Sequence, residues 1–192
     1  SNMFHYCYGL KNVSFPNNAP IPTMSYLFQE CSSLERICLP IMNDSVSTYG
    51  QYGFSECSKL KHVVIPYGTT KITSYMFENC YNIIEIKLPS TLTKINQYAF
   101  TGCSSLRSIK IPPSVVFENY CFRKCTSLRE VEFEEGFTNL SGDNLFNYAG
   151  IKTIKFPSTL TQISGTYVFT GTQVETVELP DSIESIGNGL FS

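Results

Sequence analysis

Eight cysteines in 192 residues are the side chains whose type first suggests chemistry, because clustered thiols hold zinc or close disulfides. Their spacing argues against both. A zinc site needs close pairs such as C-x-x-C with a second pair, and the chain has no such set. Cys7, Cys31, Cys57, Cys80, Cys103 and Cys125 instead recur at intervals of 24, 26, 23, 23 and 22 residues, each three positions after a phenylalanine. A free thiol behaves as a small buried hydrophobe, so these six are read as one inward column. Side chains in register point the same way, whereas a disulfide needs facing Cβ atoms about 3.5–4.5 Å apart. Cys121 replaces Ala99 at another inward position. Cys38, between Ile37 and Leu39, is expected to point outward and to be the reactive thiol.

Other catalytic sets are equally hard to assemble. The two histidines, His5 and His62, fall in different copies of the repeat described below, so no nucleophile, histidine and acid triad is expected. Glu134-Glu135 and the pair Glu130 and Glu132 could flank a glycosidic bond, but acids at these spacings on a strand are more often a solvated face. No glycine-rich phosphate loop occurs. The chain is therefore read as non-enzymatic, with no metal and no cofactor. A formal net charge of -2 and a pI near 5.7 give no basic footprint for nucleic acid or an anionic membrane. No apolar run approaches the roughly 20 residues that would insert in a membrane. The N-terminus shows no signal-peptide pattern, and Ser1-Asn2 ahead of Met3 reads as a remnant of tag cleavage.

What must position these residues is a repeat. Phe4, Phe28, Phe54, Phe77, Phe100, Phe122, Phe146, Phe169 and Phe191 are spaced 22 to 26 residues apart. Periods of roughly 20–50 residues mark stacked architectures. The copy at Pro89–Pro112 carries the full pattern of Phe100, Cys103, Leu106, Ile109, Ile111 and Pro112. The seventh and eighth copies lose both the Cys and one residue, around Ala149-Gly150 and Gly171-Thr172. Residues 41–53 form the longest insertion and are expected to bulge.

The end of each copy alternates apolar and polar residues and then meets proline, which cannot donate to a ladder. This predicts one short strand per copy, stacked in parallel about 4.7–4.9 Å apart. The return half fits no sustained period, so turns, short bridges or single helical turns are expected there. The fold class is a repeat solenoid of about eight rungs over 3–192, with a parallel sheet of short strands and irregular return segments. Because copies begin at Phe4 and stop at Phe191 without polar caps, a piece of a longer protein is expected, or end-to-end self-association.

The run at Ser90–Ser114, with anchor Phe, Cys, Leu, Ile and Pro recurring together, resembles the BspA-like leucine-rich repeats, whose unit is about 23 residues. The resemblance covers Phe4 to Phe191. It implies a right-handed leucine-rich-repeat stack, a surface-exposed or secreted location and a role in adhesion to host matrix or cell-surface proteins. It transfers no catalytic or binding residue.

Candidate binding residues come from two surfaces. Side chains either side of the central strand aliphatic should face out on the concave side: Arg36, His62, Glu85 and Glu130 before it, and Val64, Lys87, Lys110, Glu132 and Lys155 after it. Lys110, Glu132, Lys155 and Glu178 alternate in sign and should pair across strands, leaving Arg36, His62, Cys38 and Val64 mixed and unpaired. The second surface is a tyrosine strip, Tyr26, Tyr52, Tyr75, Tyr98, Tyr120 and Tyr167, each two residues before its Phe. Half-buried stacking accounts for such a strip, and so does contact with a partner. The function expected is protein binding by a surface or secreted adhesin; the alternative is a spacer that holds another domain away from the cell.

Overall fold

The computed structural model describes residues 3–15, 25–42 and 50–191. Pro16 and residues 43–49 of the expected bulge lie outside the described residues. The anchor phenylalanines form one uninterrupted column. From Phe4 to Phe191 every successive pair of rings is stacked, with centroids 5.2–5.8 Å apart and planes within 14°. Phe54, Phe77, Phe100, Phe122, Phe146 and Phe169 are fully enclosed, and one continuous apolar cluster runs from Leu27 to Leu190.

One parallel sheet carries the longer strands, β1 (Asn12–Ser14), β2 (Arg36–Cys38), β3 (His62–Val64), β6 (Ser108–Ile111), β8 (Glu130–Phe133) and β10 (Thr153–Lys155). Their register matches the repeat residue for residue: Val13 opposes Ile37, Ile37 opposes Val63, and Ile109 opposes Val131. A slip by one residue would turn the buried aliphatics to solvent, which is what fixes the pairing. Seven copies contribute. The fourth does so through Glu85 alone, bridging His62 and Ser108, and the ladder lapses at Ile86 to Leu88. The eighth copy, expected to add a strand at Thr176–Glu178, forms none. Its last aliphatic, Leu179, is exposed where Ile111 and Phe133 are buried and Phe156 is half-buried, so less apolar burial holds that segment in place.

The return side is more regular than the aperiodic sequence suggests. Two-residue parallel pairs line it: β4 (Lys71–Ile72), β5 (Lys94–Ile95) and β7 (Val116–Phe117), then β9 (Asn139–Leu140), β11 (Gln162–Ile163) and β12 (Ser185–Ile186). Among the described residues there is no helical turn. Around the anchor Phe a second ladder runs through the turns. Tyr98, Phe100 and Gly102 donate their N–H groups to the carbonyls of Asn119, Cys121 and Arg123 in the next rung, at 2.8–3.1 Å. The same three bonds recur one rung earlier, from Tyr75, Phe77 and Asn79 to Gln97, Ala99 and Thr101.

This ladder demands an unusual backbone. The residues two before and two after the anchor both have positive φ: Tyr98 at 57° and Gly102 at 75° around Phe100, Tyr120 at 62° and Lys124 at 58° around Phe122. A non-glycine residue there costs about 1–2 kcal/mol. Three inter-rung hydrogen bonds at about 0.5–1.5 kcal/mol each, with the ring stacking, offset that cost. The period was hidden because Tyr, Glu, Asn and Lys share these left-handed positions with Gly.

Phe100 is fully buried between Phe77 and Phe122, at 5.5 and 5.3 Å. Phe100→Ala should cost about 3–5 kcal/mol in urea unfolding, the range for large-to-small core changes. A loss under about 1 kcal/mol would be that of a surface position and would contradict a shared interior.

Candidate binding surfaces

The cysteine column is built into the anchor turn. Each of Cys31, Cys57, Cys80, Cys103 and Cys125 donates its S–H to the carbonyl of the anchor Phe in the rung before, at 3.0–3.3 Å. The same carbonyls also accept the N–H of their own rung's Cys, as Phe100 does from Cys103 at 3.1 Å. Both lone pairs of that oxygen are thus used. In the shortened copies Ala149 and Thr172 keep the N–H bond to Phe146 and Phe169, and the Thr172 hydroxyl donates to Phe169 itself. Burial pushes the thiols of Cys80, Cys103 and Cys121 far above the ordinary range, so they are unreactive packing groups. Cys38 is exposed, as its position between inward residues requires.

The sheet face brings the expected columns together. Arg36 lies opposite His62, His62 bridges to Glu85, and Lys110 lies opposite Glu132, which lies opposite Lys155. The charge pairing differs in one respect from strict alternation. Lys110 reaches Glu132 at 3.1 Å and Glu134 at 3.7 Å, but Lys155 pairs diagonally with Glu130 rather than with its column neighbours. Hydrogen bonds to Glu132 and Glu130 hold the Lys110 and Lys155 ammonium groups above their ordinary pKa. Lys87 approaches Glu85 of its own rung at 3.7 Å. The other end of the face is not self-paired. Among the described residues Arg36, His62 and Lys61 make no ion pair, and Val64 is 55% exposed.

Where the ladder lapses in the fourth rung, a cleft of about 540 Å³ opens, lined by Lys61, His62, Val64, Ile84, Glu85 and Lys87 among others. A second cleft of about 310 Å³ lies on the far side of the same rung, against Ser108, Lys110 and Glu134. Lys61, Ile84 and Arg107 were not picked out from sequence. They share the position after the inward Leu or Ile, a column that the strict two-residue alternation leaves out.

The tyrosine strip is continuous over five rungs. Tyr26, Tyr52, Tyr75, Tyr98 and Tyr120 stack with centroids 4.3–5.0 Å apart and planes within 10°. Asn144 holds the next left-handed position and its Nδ2 meets the Tyr120 hydroxyl at 3.4 Å, so Tyr167 stands apart from the stack. Burial, with the neighbouring Tyr75 and Glu78, pushes the Tyr52 phenol up to about 12. Stacked face to face, these rings have their faces already occupied by one another.

A parallel stack of short repeats with short strands in register from rung to rung and a filled apolar interior defines a leucine-rich-repeat solenoid. The BspA type leucine rich repeat region matches the chain in six copies over residues 1–107, 23–148 and 70–192. The chain belongs to that family. Among solved structures, a leucine-rich repeat protein of T. pallidum is 28% identical with a TM-score of 0.68, covering 83% of this chain and 75% of that one. A leucine-rich repeat protein from Bacteroides ovatus is 22% identical with a TM-score of 0.59, over 94% of this chain and 54% of that one. A leucine rich cell surface protein from Faecalibacterium prausnitzii is 20% identical with a TM-score of 0.50, over 97% and 63%. No curated protein matches.

Tyr98 combines a left-handed backbone with stacking on Tyr75 and Tyr120. Tyr98→Ala and Tyr98→Gly should both destabilise, but the glycine variant by about 1 kcal/mol less, since it relieves the positive φ that alanine retains. Equal or reversed urea midpoints would show that the conformation is not imposed at this position.

Proposed function

We propose that the chain is a non-enzymatic protein-binding module of a surface or secreted protein, which docks its ligand on the face of the longer-stranded sheet. The observation that carries this is the division of that face. From the fifth rung onward Lys110–Glu132 and Lys155–Glu130 pair across the face, whereas the first four rungs leave Arg36, Lys61 and His62 without an ion pair among the described residues and Val64 exposed. Leucine-rich-repeat proteins are generally interaction or surface proteins, and the F. prausnitzii neighbour is described as a cell surface protein. The partner is a protein of host matrix or cell surface, in keeping with adhesion. The tyrosine strip is the weaker candidate, because its ring faces are spent on one another. The self-paired half of the sheet face favours a second role as a spacer that sets a fixed distance.

The two roles separate experimentally. Proteins from matrix and cell-surface extracts would be captured on the immobilised domain, and each capture remeasured with Arg36→Glu/Lys87→Glu and with the rung 90–112 deleted. Binding reports a module if the charge reversal weakens a capture at least about tenfold, some 1.4 kcal/mol, and the deletion abolishes it. Captures indifferent to both changes would contradict docking on this face and leave the spacer.

A further inference from the structure

We infer that the gap at the fourth rung is a docking site for an extended acidic segment of a partner protein, one that carries aliphatic side chains between its carboxylates. This inference rests on the protein-binding reading of the sheet face and adds the place and the chemistry. The sheet is continuous on both sides of this rung, but within it only Glu85 forms a bridge, and Ile86 to Leu88 belong to no strand. The cleft beside it is lined by exposed aliphatic side chains: Val64 is 55% exposed and Ile84 45%. Both stand where adjoining rungs carry polar or charged groups, Cys38 and Lys87 for the first and Lys61 and Arg107 for the second. Exposed apolar surface rimmed by polar groups marks an interaction site.

The rim fixes the sign of the partner. Lys61 and Lys87 line the cleft, with Arg36 and Arg107 on the rungs beside it; all four are exposed, and they outnumber the carboxylates there, Glu85 in the cleft and Glu35 on the rung beside it. Glu85, the carboxylate that lines the cleft, already faces Lys87 at 3.7 Å. A cationic patch on a chain whose formal net charge is -2 is a local feature and not the overflow of a basic protein. Carboxylates of a partner would be steered to this rim, and the attraction would weaken as salt shortens the screening length, about 10 Å at 0.1 M. The aliphatic lining favours a peptide over a bare polyanion, which would gain nothing from Val64 and Ile84.

The test is to pan a random dodecapeptide display library on the intact domain and measure the enriched peptides by fluorescence anisotropy at low and high salt. The expected result is enrichment of Asp/Glu interleaved with Leu, Ile or Val. Lys61→Glu/Lys87→Glu and, separately, Val64→Ser/Ile84→Ser should each weaken binding at least about tenfold, while Lys155→Glu, in the self-paired half, leaves it unchanged. These changes are on exposed side chains and circular dichroism would verify the fold of each variant. Selected peptides without acidic bias, or binding that survives both cleft variants, would overturn the site. If such peptides respond to Lys155→Glu instead, the sheet face binds elsewhere and only the cleft is wrong. If no peptide is selected on the domain at all, the cleft and the wider protein-binding reading fall together. Heparin binding as tightly as the selected peptides, insensitive to Val64→Ser/Ile84→Ser, would replace the site with a simple polyanion patch.

Discussion

Everything in this fold depends on the anchor turn repeating itself without error from rung to rung. Its phenylalanine must lie over the one below it, because the rings fill the middle of the core at 5.2–5.8 Å spacing. The residues at either side must take positive φ so that alternate N–H groups point along the stack and not around the rung. Left-handed backbone is unfavourable for tyrosine or lysine on its own. It persists here because three hydrogen bonds per rung and two stacked columns, of Phe and of Tyr, are satisfied only in that shape. Strain that is local in each turn is held by contacts that are not local at all.

The cysteines follow from the same turn. A main-chain carbonyl has two lone pairs, and that of the anchor Phe lies inside the core, where a missing donor is costly. The next rung has room there for one small group with a weak donor. A thiol meets both needs; alanine fills the volume alone, and the threonine of the last copy turns its hydroxyl to its own rung. Eight cysteines that might suggest metal or disulfide chemistry serve mainly as packing and hydrogen-bonding groups.

Much of this could be read from sequence because the signals were inward-facing and periodic. The Phe, Cys, Leu and strand aliphatics each keep one chemical type per position, so the spacing alone predicted the stack, the parallel strands and the exposed Cys38. What escaped was set by backbone or by context. The left-handed positions are filled by Tyr6, Glu30, Glu56, Asn79, Gly102 and Lys124, whose side chains share nothing. The lapse at Ile86–Leu88 occurs in a copy whose Ile83, Ile86 and Leu88 look entirely regular, and nothing in its residues announces it. The diagonal pairing of Lys155 with Glu130 depends on side-chain reach across strands, which a column alignment does not contain. The candidate face was therefore legible as columns, while its division into a self-paired half and an open half was not.

That division rests on an unbroken core that sets the geometry, with an interruption at the fourth rung beside which apolar and cationic side chains stand exposed. The core claim beneath it is that the return turns, and not the short strands alone, bind the rungs together. Native-state amide hydrogen exchange tests this most directly. The N–H groups of Tyr75, Phe77, Asn79, Tyr98, Phe100 and Gly102 should exchange as slowly as those of Ile109 and Val131 in the sheet, in one cooperative unit. Rapid exchange at those turn positions, with protection confined to the strands, would contradict the account.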